Sequence, residues 1–134
     1  MSEAGRVGIV LVSHSAALAA GTAELAGQVG GGEVIVMPAG GTDDGRLGTS
    51  IAKIRHALAA ADSGAGVVVL PDLGSSVLTV RALLADGEGL PEPLAVADAP
   101  FVEGAVAATI AAAVGGDVKA VASAAEEARR ARKL

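Results

Sequence analysis

Four short apolar runs, separated by longer helix-compatible stretches, constrain this chain more than any other feature. Residues 7–12, 33–37, 66–70 and 94–96 are of strand length and mostly rich in Val and Ile. Residues 16–28, 49–61 and 76–85 instead favour helix through Ala, Leu, Ile and Lys, with Gly at the breaks. Strands that alternate with helices predict a parallel sheet joined by right-handed crossovers, with helices on both faces. The continuous apolar segment 67–70 suits a strand buried on both sides. Beyond Pro100, residues 101–114 and 118–133 predict a fourth and a fifth helix, parted by Gly115 and Gly116. In the last of these Glu126 stands four residues before Arg130, the pattern of a solvated helical end. The expected fold is an α/β three-layer sandwich around an open, mainly parallel four-stranded sheet, in the flavodoxin-like order 2-1-3-4.

Composition removes several classes of function. A chain of 134 residues that is 51% hydrophobic is long enough to bury a core as one domain over 1–134, without metal or disulfide support. The absence of Cys excludes thiolate catalysis, disulfide frameworks and Cys-based zinc sites, and two His argue against a histidine-rich metal site. A net charge of -5 with Phe101 as the lone aromatic argues against nucleic acid, which calls for a basic face and stacking rings. The longest apolar run, 105–114, is too short to span a bilayer, and residues 1–6 carry Glu3 and show no signal peptide. A soluble cytoplasmic protein is expected, with no membrane partner.

The glycine-rich loops do not form a nucleotide fingerprint. Gly40-Gly41-Thr42-Asp43-Asp44-Gly45-Arg46-Leu47 nearly fits phosphate-loop spacing, but Arg46 and Leu47 stand where Lys and Ser or Thr are required. Neither a G-x-G-x-x-G after the first strand nor a G-x-S-x-G elbow is present.

Small polar residues cluster instead at the carboxyl ends of three predicted strands, where α/β sheets collect their ligands. They are Ser13-His14-Ser15, the loop 40–50, and Pro71-Asp72-Leu73-Gly74-Ser75-Ser76. In the order 2-1-3-4 the first and third strands are neighbours at the topological switch point, so His14 and Asp72 meet across one crevice. A carboxylate there can accept a hydrogen bond from one ring N–H of His14, fixing the tautomer and leaving the other nitrogen free as a nucleophile. Ser13, Ser15, Ser75 and Ser76 fall at predicted helix starts, where unpaired N–H groups favour an anion such as a phosphoryl group and where simple N-capping is compatible with that role. His56 lies inside a predicted helix beside Arg55 and reads as a dispensable surface or packing residue. Glu103 reads as a favourable charge at the positive end of the fourth helix, or as part of a subunit contact.

Taken together, Val12-Ser13-His14-Ser15, Gly48-Thr49-Ser50, Asp72-Leu73-Gly74-Ser75-Ser76 and Ala99-Pro100-Phe101-Val102-Glu103-Gly104 resemble the DhaM family. These are phosphoryl-donor subunits of bacterial dihydroxyacetone kinase whose amino-terminal domain is a mannose-type EIIA of the phosphotransferase system. The resemblance covers nearly the whole chain. It implies that His14 is the phosphorylated residue and that Asp72 orients its imidazole; Ser13, Ser15, Thr42, Thr49, Gly74 and Ser75, small residues of the three loops, are our own expected phosphoryl contacts. It further implies phospho-HPr as donor and ADP on the DhaL subunit as acceptor. ATP formed there phosphorylates dihydroxyacetone bound to DhaK, so the chain would act as a phosphoenolpyruvate-glycerone phosphotransferase subunit. No cofactor of its own is implied; ADP and Mg²⁺ would sit on DhaL. Family members usually form homodimers, and the Ala- and Val-rich surfaces expected of 101–114 suit one. Two alternatives stay open: the EIIA component of a mannose-type sugar transporter, and a regulatory module that senses phosphotransferase flux.

Overall fold

Each expected strand and helix is present in the computed structural model, which describes residues 5–134. The absence of a signal peptide was read partly from Met1 to Ala4, which lie outside the described residues. The order is β1 (Gly8–Ser13), α1 (Ala16–Val29), β2 (Val36–Gly40), α2 (Ile51–Ala61), β3 (Val67–Pro71), α3 (Gly74–Asp86), β4 (Leu94–Val96), α4 (Phe101–Ala113) and α5 (Val118–Glu127). A 3₁₀ turn, Ala128–Arg130, follows α5. The four strands form one sheet in the order β2-β1-β3-β4, and every pairing is parallel. Among the described residues, no helix is long and apolar enough to cross a membrane.

Strand alternation divides the core. Ile9 and Leu11 of β1, with Val68 and Leu70 of β3, face a cluster built from α1, α4 and α5 through Ala23, Ala26, Ala105, Ala108, Val121 and Ala125. Val10, Val12, Val67 and Val69 face the opposite side, against Ile54, Ala57 and Leu58 of α2 and Val80 and Leu83 of α3. The split follows from connection geometry. The chain leaves β1 toward β2 through α1 but returns from β2 past β1 to β3 through α2. Crossovers of uniform hand then put the two helices on opposite faces. Alanines dominate the helix side of one layer, and Ile, Leu and Val are prominent on that of the other.

Boundaries differ from the sequence expectation where tertiary contacts override local pattern. The second strand begins at Val36 and ends at Gly40, three residues later than the 33–37 expected. Gly31 and Gly32, with φ of +81° and +82°, carry the chain through a left-handed turn, and pairing starts where the Ile9 N–H meets the Ile35 carbonyl at 2.9 Å. Pro38 is tolerated because β2 is an edge strand. Ile35 and Gly41 bond to β1, so by alternation Pro38 turns its missing N–H to the free edge. The fifth helix stops at Glu127 rather than Lys133, because the last apolar anchor is Ala125 and the residues beyond have no buried face to support further turns. There Arg130 lies 3.4 Å from Glu127 instead of pairing with Glu126, which accepts from the Asp98 N–H at 3.0 Å. The alanine face of α4 is buried within the monomer, so the surface it offers outward is Val102, Ile110 and Val114.

Gly8 is held by contact. A Cβ there would overlap the carbonyl of Ala61 at the end of α2, whereas one at Gly21, in the exposed middle of α1, would meet nothing within 4 Å. We therefore expect Gly8→Ala to destabilise the fold by about 1–3 kcal/mol through overpacking. Gly21→Ala should stabilise it by about 0.5–1 kcal/mol through helix propensity. Urea denaturation midpoints moving in opposite directions would bear this out; two shifts of the same sign would contradict it.

Candidate functional site

His14 follows β1 directly and Asp72 follows β3, and the pairing of Val12 with Pro71 brings their backbones side by side. The Asp72 N–H bonds the Val12 carbonyl at 2.9 Å, one last ladder-like bond that seats the carboxylate beneath the imidazole. This is the sheet's switch point, since the connections after β1 and β3 depart in opposite directions and leave a crevice between them.

Four donors converge on the Asp72 carboxylate. Oδ2 accepts from the Ser13 hydroxyl at 2.9 Å and from the His14 backbone N–H at 3.0 Å. Oδ1 accepts from the Leu73 N–H at 2.7 Å and lies 3.0 Å from His14 Nδ1. The Asp72 side chain is only 7% exposed. Burial acts to raise its pKa, but the donated hydrogen bonds outweigh burial and hold the carboxyl below the ordinary aspartate range. Asp72 is therefore an anion at neutral pH. A carboxylate can only accept, so the ring nitrogen facing it carries the proton. The lone pair of His14 then belongs to Nε2, which lies 2.5 Å from Ser75 Oγ on the outer side of the ring. With 26% of its side chain exposed, His14 is held from below and open from above.

The helix that supplies Ser75 also supplies polarity. The first turn of α3 starts at Gly74, with Leu73 in the capping position and no side-chain cap. Its leading N–H groups and the positive end of the helix dipole thus lie beside the imidazole, a setting that favours an anion. A Cβ at Gly74 would meet nothing within 4 Å, so the space over this turn is open. Sequence pattern placed the helix start at Ser76; that residue is instead buried inside the first turn, with its hydroxyl on the Leu73 carbonyl at 2.7 Å.

Of the residues expected around a phosphoryl group, Ser75 touches the ring, Gly74 precedes it at the start of α3, and the hydroxyls of the others have partners within the fold. Ser13 is fully buried and turned toward Asp72. Ser15 caps α1, its Oγ accepting from the Leu18 N–H at 3.1 Å. Thr42 closes its own loop, donating to Asp44 at 2.5 Å and accepting from the Arg46 N–H at 3.0 Å. Thr49 pairs with Thr79 of α3 at 2.8 Å. Loop 40–50 also meets the Ser13-His14 segment through its backbone. The Gly48 N–H bonds the His14 carbonyl at 2.8 Å and the Gly41 N–H bonds the Ser13 carbonyl at 3.1 Å. Both glycines have positive φ, +138° and +79°. His56 is exposed on α2. Glu103 lies in the first turn of α4, where the hydrogen-bonded ion pair with Lys133 and its own backbone N–H lower its pKa. Leu73 and Thr79 were not legible as site residues, the first acting through its backbone and the second through a contact made only in the fold.

Comparison with known proteins identifies relatives of this arrangement. The family model EIIA-man, described as "PTS system fructose IIA component", matches residues 8–122. The phosphoryl donor subunit DhaM of PEP-dependent dihydroxyacetone kinase 2 from Listeria innocua is 35% identical over 117 residues, covering 86% of this chain and 93% of that protein. DhaM from Providencia stuartii is 33% identical over 131 residues, covering 95% of this chain but 28% of its own length. DhaM from Escherichia coli K12 is 34% identical over 119 residues, with 86% and 25% covered. The chain thus spans nearly all of the Listeria protein and about a quarter of the two longer ones. The crystal structure of EF1359, a protein of unknown function, superposes with a TM-score of 0.80 at 34% identity, covering 91% of this chain and 94% of that one.

The depressed carboxyl predicts how stability responds to pH. A group whose pKa is lower in the folded state stabilises that state above its unfolded value, and the contribution is lost as pH falls through the folded one. We expect Asp72→Ala to lose about 1–3 kcal/mol at pH 7. The gap from wild type should narrow below about pH 4, as the native carboxylate takes up a proton. A difference in denaturation free energy that stays constant down to acid unfolding would contradict the assignment.

Proposed function

The chain belongs to the EIIA-man family, and from that premise we propose that it is a DhaM-type phosphoryl carrier, a subunit of a phosphotransferase system, with His14 as the carrier residue. In this reading phospho-HPr donates to His14, and His14 passes the group to ADP held with Mg²⁺ on DhaL. The ATP formed there serves the phosphorylation of dihydroxyacetone on DhaK. The observation that carries it is the polarised imidazole, with Nδ1–H bound to an ionised Asp72 and Nε2 at the surface beside an uncapped helix N-terminus.

The chemistry follows from that arrangement. The Nε2 lone pair attacks phosphorus as the bond to the donor breaks, and the electron pair of that bond leaves with the donor. The proton on Nδ1 stays in place, so positive charge develops on the ring directly above the Asp72 carboxylate. Ser75 surrenders its hydrogen bond to Nε2 and becomes free to donate to a phosphoryl oxygen, together with the N–H groups of the α3 first turn. Transfer onward reverses these roles, with a β-phosphate oxygen of ADP as nucleophile. Such a loose transition state asks chiefly for in-line placement and charge compensation. An open site is needed because donor and acceptor must reach the same nitrogen in turn. A homodimer belongs to the same proposal.

Incubation with phosphoenolpyruvate, enzyme I and HPr should add one acid-labile phosphoryl group to the wild type and to His56→Ala, and none to His14→Ala, as read by intact mass. DhaL with ADP and Mg²⁺ should discharge the label and form ATP. Discharge to a sugar-transporter IIB domain instead would overturn the assigned acceptor, and no discharge to either would favour a regulatory module. In Asp72→Asn the amide presents an acceptor to one pair of donors and an N–H to the other. We expect phosphorylation slowed by about 10- to 100-fold, the cost of losing a charge-assisted hydrogen bond. An unchanged stopped-flow rate would remove Asp72 from the mechanism.

A further inference from the structure

We propose that Ser13 is a positioning residue for His14, acting through Asp72 and never touching the phosphoryl group. This deepens the carrier reading and rests on it. Ser13 closes β1, and its side chain is fully buried, out of reach of any ligand above the ring. A carboxylate cannot donate, so the Ser13 hydroxyl must give its proton to Asp72 Oδ2, at 2.9 Å. Its lone pair accepts the Ser15 N–H at 3.0 Å, which ties the hydroxyl to the residue that caps α1. The backbone beneath it is held by the Gly41 N–H on its carbonyl.

The two oxygens of Asp72 consequently have separate duties. Oδ2 is anchored by Ser13 and the His14 backbone, and Oδ1 is left for the Leu73 N–H and the ring. Without the Ser13 hydroxyl, Oδ2 keeps only the His14 N–H, and the carboxylate plane is free to tilt. The Oδ1 lone pair then no longer points along Nδ1–H. Losing that alignment weakens the preference for the Nδ1–H tautomer, the form that leaves Nε2 as nucleophile. A structural hydroxyl would change stability alone, whereas a positioning one changes which nitrogen carries the proton.

The test compares wild type, Ser13→Ala, Ser13→Cys and Ser13→Thr, with folding checked by thermal denaturation. Ring ¹⁵N shifts of His14 report the tautomer without any donor present. Stopped-flow phosphorylation by phospho-HPr reports kcat and KM. For Ser13→Ala we expect a larger Nε2–H share and a kcat lowered by roughly tenfold, the scale of one hydrogen bond to a charged group. KM should stay unchanged, because Ser13 does not face the donor. Ser13→Thr retains the hydroxyl and should restore both readouts. Ser13→Cys, close in size but a weak donor, should fall between wild type and Ala, and covers the case in which the Thr methyl is not accommodated. Wild-type tautomer shares and kcat in folded Ala and Cys variants would overturn the proposal. If the wild type itself takes no phosphoryl group from phospho-HPr, the carrier reading fails, while the ¹⁵N comparison still decides the role of Ser13.

Discussion

The geometry of the candidate site depends on one buried carboxylate standing at the junction of two parallel strands. Asp72 sits where β1 and β3 end side by side, and its four donors come from both strand ends: the Ser13 hydroxyl, the His14 backbone N–H and His14 Nδ1 from the first, and the Leu73 N–H from the second. An anion this deeply placed is tolerated only because each oxygen is bonded, and the same bonds that make it tolerable fix the imidazole above it. Charge, tautomer and ring orientation are thus one arrangement.

The rest of the fold serves to keep that junction narrow on the inside and open on the outside. Apolar side chains on both faces of β1 and β3 bury the two strands, one face against the alanine-rich sides of α1, α4 and α5 and the other against α2 and α3. The glycine-bearing loop after β2 reaches across to bond the carbonyls of Ser13 and His14. Lys53 stands on the free edge side, donating to the Gly40 carbonyl at 3.0 Å and so closing off the end of the edge strand that carries this loop.

Much of this was legible in the chain. Periodicity located all four strands and placed His14 and Asp72 at the carboxyl ends of the first and third. The errors had common physical origins. Pro38 and the triple glycine at 30–32 displaced β2, because edge position and left-handed turns depend on what lies alongside. Ser76 looked like a cap because Ser commonly is one, yet Leu73 takes the capping position and Ser76 turns inward. Beyond these boundaries, the fold also gives the hydroxyls of Ser13, Ser15, Thr42 and Thr49 partners that the sequence does not show: Asp72, Leu18, Asp44 and Thr79.

By itself the sequence determined the layer architecture, the absence of thiol chemistry, and the pairing of one histidine with one aspartate. Those properties follow from residue type and period, which are local. Only the tertiary structure decided which imidazole nitrogen faces the carboxylate, which serines face the ring, and which hydroxyl lies buried beneath it. These are directional matters: a hydrogen bond requires an angle and a distance between groups up to 61 positions apart, as in His14 and Ser75, and no linear pattern carries either.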